Sequence, residues 1–380
     1  AMEKAHKETL RSQPSTSGGK NNNFQHWSQQ RELLIEWFKA NLEFGCAAEL
    51  EKVSNTYWDQ DDASLTAFTG PHVVIDGGYG QLCTGLAKGL NIRLQSPVKA
   101  VKYDQSIQNT NKGNSSTRVT TTTTTTTTTK SNSKNTIILE NGIELKCDLI
   151  VCTVPLGCLQ HGDIEFTPKF SPRKTRAIEK MGAGNLNKVV LEFNGCFWDP
   201  NDDMFGRVGE SGQNRGHAYM FASFVSEKSA VLVAFMAGNA AQVMETKSDN
   251  EVIDSVLKVL KQMYGDDKVA EPISSHVSMW GSDKYARGAY SYVAVGCNGD
   301  DYDALSESIN QNLYFAGEHC SRSNPTTCAG AMMSGLLCAE EIVRHHGRWR
   351  YSVISDILES ENETNPKLSL GLRRLHENDH

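Results

Sequence analysis

Apolar positions recur along this chain with two different periods. From Gln29 to Phe44 the residues Leu33, Leu34, Trp37, Phe38, Leu42 and Phe44 fall on one face of a helix, and Arg173–Met181 and Asn250–Tyr264 repeat the pattern. Lys188–Phe193 alternates instead, as strands do, and Ala218–Phe224 and Val231–Met236 also read as strands. Thr136–Glu140 and Ile143–Leu145 flank Asn141-Gly142, the signature of a tight hairpin. Val98–Tyr103 and Ile92–Leu94 predict two further short strands, and Asp148–Cys152 one of the buried type. A short helix is expected near Cys46–Ser54. Two stretches join a strand to a helix through glycine: His72–Ile75 leads through Asp76–Gly80 to a helix over Gln81–Gly89. Leu313–Ala316 breaks at Gly317 and leads through a polar loop to a helix running from Thr327 to near His345. This order of elements predicts a mixed α/β (α+β) fold with at least two lobes assembled from non-contiguous segments.

Three stretches lack such a pattern. Residues 1–23 are polar and read as a linker, with Glu3–Leu10 as the last turns of a helix. Asp104–Asn135 is built of Ser, Thr, Asn and Lys, with an unbroken threonine run from Thr120 to Thr129, and is expected to be a disordered insertion in a loop between strands. From Gly347 to His380 the chain turns charged and reads as a tail.

Composition narrows the function classes. A chain of 380 residues with 38% apolar and 22% charged residues buries a large core. The net charge of −7 argues against direct nucleic-acid binding and is compatible with a cationic ligand. No apolar run approaches a membrane span and no secretory signal is visible. The ten cysteines show neither CxxC pairs nor metal-type spacing, so free thiols, an intracellular setting and no structural metal are expected.

The candidate chemistry is ambiguous residue by residue. Asp76-Gly77-Gly78-Tyr79-Gly80 resembles a phosphate loop but fails the dinucleotide fingerprint, because Cys83 stands where the last glycine belongs. The Gly317 corner, with Glu318-His319 before a small-residue helix start, suits an electron-rich flat ligand, or is an ordinary strand–loop–helix turn. Tyr57–Asp62 is a solvated acidic loop or a patch for a basic peptide. Lys188 snorkels from a strand edge or serves chemistry, and the aromatics Trp280 and Tyr290 are core or a ligand wall.

Longer motifs in sequence order break the tie. FAGEH followed by a Pro-Thr-Thr turn and a Gly-Ala…Ser-Gly helix resembles the C-terminal flavin segment of the FAD-dependent amine oxidases. WFKANLEF, YWDQDD, FTGPHVV, TVPLGCL, MGAGNLNKVVLEF, FWDP and YARGAYSYVAVG make Gln29–His346 similar to one branch of that family, the flavin-dependent lysine-specific histone demethylases. The resemblance implies the two-lobed amine oxidase fold and FAD as cofactor. It implies Glu318, Gly317, Thr327, Cys328, Thr153 and Val98 at the cofactor, and Lys188, Trp280 and Tyr290 in catalysis, with the lysine reaching the flavin through a water and the aromatics flanking the methylated amine. Asp59, Asp61, Asp62, Asn41 and His72 would hold a histone H3 tail, while Phe44 and Trp198 would line the cavity. The expected division is 1–24 linker, 25–64 and 185–298 substrate lobe, 65–184 and 299–346 FAD lobe, and 347–380 tail.

The implied reaction is oxidative demethylation of mono- or dimethyl-lysine, giving formaldehyde and hydrogen peroxide, in a nuclear, chromatin-repressing protein. Its parent would bind a corepressor of the CoREST type, touch the nucleosome only indirectly and avoid membranes. The expected fold lacks the N-terminal dinucleotide-binding βαβ unit of the pattern, and Asn324 stands where an aromatic is expected. A polyamine or monoamine oxidase, or an inactive peptide-binding module, are the alternatives.

Overall fold

In this computed structural model, residues 21–60, 74–104, 134–209, 212–226 and 229–346 are described. In chain order the elements are α1 (Asn21–Cys46), α2 (Gly80–Leu86), β1 (Val98–Lys102), β2 (Asn135–Leu139), β3 (Glu144–Cys147), β4 (Ile150–Cys152), α3 (Leu156–His161), β5 (Glu165–Thr167), α4 (Pro172–Lys180), β6 (Gly182–Gly184) and β7 (Asn187–Phe193). They continue with β8 (Met204–Gly206), β9 (His217–Val225), β10 (Ala230–Met236), α5 (Gly238–Met244), α6 (Asp249–Tyr264), β11 (Ser274–Val277), β12 (Tyr290–Tyr292), α7 (Gly299–Ser306), β13 (Leu313–Phe315) and α8 (Cys328–His346).

They fall into two compact units. Among the described residues, the first holds those up to Gly45 together with Lys188–Ser278, and the second holds those of Cys46–Asn187 and from Met279 to His346. The first is built on a five-stranded sheet in the order β11-β7-β10-β9-β8. Strand β7 buries every second residue, and its Val189, Leu191 and Phe193 pack in one core with Val252, Val256, Leu257 and Leu260 of α6. Helix α6 opens on a capping box in which Ser248 and Glu251 satisfy each other's backbone N–H groups. Helix α1 is fixed to this sheet by the Trp37 indole, which donates to the Tyr219 carbonyl at 2.9 Å. Arg215 grips the buried Glu43 through two nitrogens and reaches Glu36 at 3.3 Å.

The second unit contains a four-stranded sheet, β3-β2-β1-β5, and two strand pairs. Strands β2 and β3 form the expected hairpin, turning at Gly142, whose φ of +83° suits a residue without Cβ. Strand β6 pairs with β12 antiparallel, and β4 with β13 parallel. Ile150, Ala177, Ile178, Met181, Tyr302 and Phe315 share its core.

Several expectations are corrected. Ile92–Leu94 forms no strand, because no neighbour among the described residues pairs with it and its residues are exposed. The short helix near Cys46–Ser54 is only a 3-10 turn over Leu50–Lys52, since Val53 bridges to Ala294 and the Ser54 N–H donates to the Val293 carbonyl at 2.9 Å. That bridge and the β6–β12 pairing go with 46–60 and 279–298 lying in the second compact unit. The insertion starts from a pinned neck: the Asp104 N–H donates to Asn135, and the Asn310 and Asn312 side chains donate to the Asp104 carbonyl at 3.1 and 2.9 Å. Residues 105–133, the tail at 347–380 and residues 1–20 of the linker expected at 1–24 lie outside the described residues, while 21–24 already belong to α1 and correct the linker's end.

Candidate active site

The chemistry-bearing corner of the second unit grows from the parallel pair β4–β13. Phe315 stands opposite Cys152, and the Ala316 N–H donates to the Cys152 carbonyl at 3.1 Å, so both strands end together. The segments that follow, Thr153–Pro155 and Gly317–Thr327, therefore leave from the same sheet end, where parallel strands present ligand sites. Thr153 is exposed there. Gly317 has a φ of +148°, and a Cβ on it would press on the His319 ring, so only glycine fits. Its N–H donates to Ser334 on α8 at 2.9 Å, tying strand to helix.

Glu318 organises the turn. Its carboxylate accepts the Ser291 N–H at 3.0 Å and hydroxyl at 2.7 Å, and the Thr326 N–H at 2.8 Å. Burial pushes its pKa up, and those three donors pull against the rise. Thr326 sits at a φ of +65°, held in this strained conformation by that hydrogen bond. Thr327 caps α8: its hydroxyl accepts the Gly330 N–H at 2.9 Å and donates to the Asn324 carbonyl at 2.9 Å. Among the described residues no acceptor reaches the N–H groups of Cys328 and Ala329, which leaves first-turn donors for a ligand. His319 beside the turn is buried, and its pKa falls to about 4 through burial and the nearby Lys174 charge, so it is neutral near pH 7.

Ser291 belongs to β12, between the sequence-predicted Tyr290 and Tyr292. Tyr290 is half-buried, and burial raises its phenol pKa far above the usual range, helped by Cys46 and Glu318. Trp280 is 44% exposed. Its backbone N–H donates to the buried Asn187 side chain at 3.0 Å, and its carbonyl accepts from Gly288 at 2.9 Å. The structure thus gathers Trp280, Tyr290, Glu318, Gly317, Thr327, Cys328 and Thr153 in one unit. Val98 is in the same unit, half-buried and paired with Leu139.

Lys188 belongs to the first unit. It is half-buried, its amine 5.8 Å from the Phe235 ring centre, and burial lowers its pKa. Its backbone N–H is held by Ser278 at 2.7 Å. Phe44 meets Phe235 edge-on at 5.2 Å, and Asn41 is exposed on α1. Trp198 is placed in the core, 4% exposed, with its indole N–H on Ser223 at 2.8 Å and its ring against Phe193 and Phe197. Asp59 is half-buried, next to Gln60, whose amide donates to the Arg322 carbonyl at 2.8 Å. Asp61, Asp62 and His72 lie outside the described residues. Sequence reasoning missed Ser291, Ser334 and Asn187, whose polar side chains in apolar runs were the available signal.

This corner fits a flavin. Paired strand ends, a glycine where a Cβ would intrude and unpaired amides at a helix N-terminus are the donor set that an electron-rich flat ring needs. The comparisons agree. The family model described as flavin containing amine oxidoreductase matches residues 3–343. The chain is 38% identical over 311 residues to "Lysine-specific histone demethylase 1 homolog 3" of Arabidopsis thaliana, covering 82% of this chain and 18% of that protein. It is 36% identical over 339 residues to "Possible lysine-specific histone demethylase 1" of Drosophila melanogaster, covering 84% of this chain and 35% of that protein. It therefore spans little more than a third of the relative's length at most in these two matches. A solved structure of putrescine oxidase bound to putrescine superposes with a TM-score of 0.54 at 19% identity, covering 70% of this chain and 53% of that one. Cyclohexylamine oxidase from Brevibacterium oxydans reaches 0.62 at 16%, covering 84% and 68%. The chain belongs to the flavin-containing amine oxidoreductase family, whose cofactor is FAD.

Proposed function

We propose that this chain carries out flavin-dependent oxidative demethylation of mono- and dimethyl-lysine on a histone H3 tail, in the nucleus and in chromatin repression. The observation that carries the reading is the Ser291 link: one residue beyond Tyr290, it donates twice to Glu318, so the aromatic flank and the cofactor turn are set by the same hydrogen bonds. The family supplies the oxidant class, and the relatives' names supply the substrate class.

When bound, FAD supplies a two-electron acceptor for a hydride from the N-methyl carbon, with oxygen as the final acceptor. The protein's part follows from its own groups. The first-turn amides of α8 favour negative charge on a ring placed against them. Trp280 and Tyr290 offer aromatic faces that attract an alkylammonium and bury its methyl groups. An apolar surround favours the neutral amine, the only form with a lone pair to assist hydride loss, so the rate rises with pH. Lys188, with its pKa lowered by burial, needs less energy to give up a proton than an exposed lysine does. Asp59, with Asp61, Asp62, Asn41 and His72, supplies the chemistry for a basic tail. Hydrolysis of the oxidised N-methyl group would give formaldehyde and a lysine with one methyl group fewer, with hydrogen peroxide as the product from oxygen. The protein would act with a corepressor of the CoREST type.

The test uses matched H3 peptides bearing one, two or three methyl groups, with formaldehyde and peroxide measured together. Turnover of the mono- and dimethyl forms in a one-to-one product ratio is expected. Turnover of the trimethyl form, which has no lone pair in any protonation state, sinks the mechanism. Spermine turnover in preference to the peptides would favour the polyamine oxidase reading.

A further inference from the structure

Lys174 is the most deeply buried lysine among the described residues, 2% exposed on α4. Its ammonium donates to the Leu305 carbonyl near the end of α7 at 2.8 Å and lies 3.6 Å from the centre of the Phe315 ring at the end of β13. The Cys320 thiol reaches the same Leu305 carbonyl at 3.7 Å, so amine and thiol share one acceptor beneath the 318–320 turn. The groups facing the ammonium are Cys152 on β4, Cys320 and His319 on the turn, and Glu307 beyond α7, with Arg173 beside it on α4. None of the facing acids is buried with it as a paired carboxylate: Glu307 is half exposed and bridges to Arg173 at 2.8 Å. Burial lowers the Lys174 pKa to about 8, the mark of a charge whose solvation is not fully replaced. A core that needed only volume would be served better by an apolar side chain there.

What the charge does follows from what it holds. The Leu305 carbonyl needs a donor, because the last carbonyls of a helix have no partner within it. The Phe315 ring is the last residue of β13, two residues before Gly317. We propose that Lys174 is a positioning residue for the cofactor turn: by holding the end of α7 and the Phe315 ring, its ammonium fixes the Gly317–Ser321 turn and so aims the Glu318 carboxylate at Ser291 and Thr326. The inference rests on the flavin reading of this corner for its functional meaning, but the positioning itself is a property of the protein alone.

The experiment compares the full chain with its K174M and K174R variants by amide hydrogen exchange, without added flavin. Exchange at Ser291 and Thr326, whose N–H groups Glu318 holds, is expected to rise at least tenfold in K174M and by less in K174R, which keeps the charge. The melting temperature and the protection of β1–β2–β3 should stay at or above the wild-type level in K174M. A merely structural lysine would lower them together. A second arm needs no variant: raising the wild-type protein from pH 7 to pH 9.5 discharges Lys174 in place and should loosen the same two amides, after correction for intrinsic rates. If K174M does not fold, this arm decides. Unchanged protection of Ser291 and Thr326 in either arm overturns the proposal. FAD titration followed by its visible absorption band is scored separately. Loosened amides in a chain that takes up no flavin would keep the positioning role and sink the flavin reading.

Discussion

Two corners of this molecule look alike as sequence and differ as structure. Asp76–Leu86 and Gly317–Met332 both run through glycine into a small-residue helix start. At the second, carboxylate, hydroxyls and amides of Glu318, Ser291, Thr326, Thr327 and Ser334 lock the turn. At the first, Gly78, Gly80 and Gly85 have nothing within 4 Å of where a Cβ would stand. Its apolar residues face solvent, from Leu82 at 46% exposed to Leu86 at 61%. Its side-chain ties are local, from Gln81 to the Asp76 carbonyl and from the Thr84 hydroxyl to the Gly80 carbonyl. Glycine at the first corner lets the chain turn. Glycine at the second makes room for specific atoms, and a site requires that second kind.

The sharpest way to break this contrast is to remove the organising acid. Glu318→Ala leaves the Ser291 N–H and hydroxyl and the Thr326 N–H without their acceptor, at about 1–3 kcal/mol for each group that stays buried and unpaired. A loss of about 4 kcal/mol in urea unfolding, together with loss of flavin uptake, is expected. Asp76→Ala should move stability by less than about 0.5 kcal/mol. Equal losses would mean that the two corners are built alike.

Acid should attack only the second corner. His319 has its folded pKa depressed to about 4 from an ordinary 6.5, so the stability it contributes is present above pH 6.5 and is lost as pH falls toward 4. The gap of about 2.5 units corresponds to roughly 3 kcal/mol at its full extent. Glu318 works the other way: its raised pKa gives stability at low pH that fades as pH climbs through the folded value. Unfolding followed from pH 7 to pH 4 should fall steeply in the wild type and more shallowly in His319→Gln. Parallel curves would show that His319 is not the group being charged.

The contrast also explains what was legible in the sequence. Period alone found β7 and α6, because Val189, Leu191 and Phe193 meet Val252, Val256 and Leu260 in a single core. Motif order, and not period, is what singles out Glu318, Tyr290 and Trp280. Period could not place Ile92–Leu94, since a short apolar run reads the same whether or not a neighbouring strand exists to pair with it. An aromatic beside Phe197 likewise carries no mark in the sequence of how deeply it is buried, and Trp198 lies in the core of the first unit. Ser291 and Lys174 act through partners 27 and 131 residues away, and no local pattern encodes such a distance.

The smallest effect is also the cleanest comparison, because the same substitution is made at both corners. Gly330→Ala on α8 drives a Cβ into the Asn324 backbone carbonyl, which cannot swing aside because the same carbonyl accepts from Thr327. A shift of the loop is the only relief, at about 1–3 kcal/mol for overpacking at a fixed site. Gly85→Ala on α2 meets nothing within 4 Å and replaces the residue with the weakest helical preference after proline. It should leave flavin uptake unchanged and stabilise the short helix by about 0.5–1 kcal/mol. Denaturant unfolding of the two variants beside the wild type reads both signs at once. Opposite signs would mean that glycine at the first corner serves only chain flexibility, whereas a loss at Gly85 would mean that something packs against α2 and that the exposed corner is a surface in use.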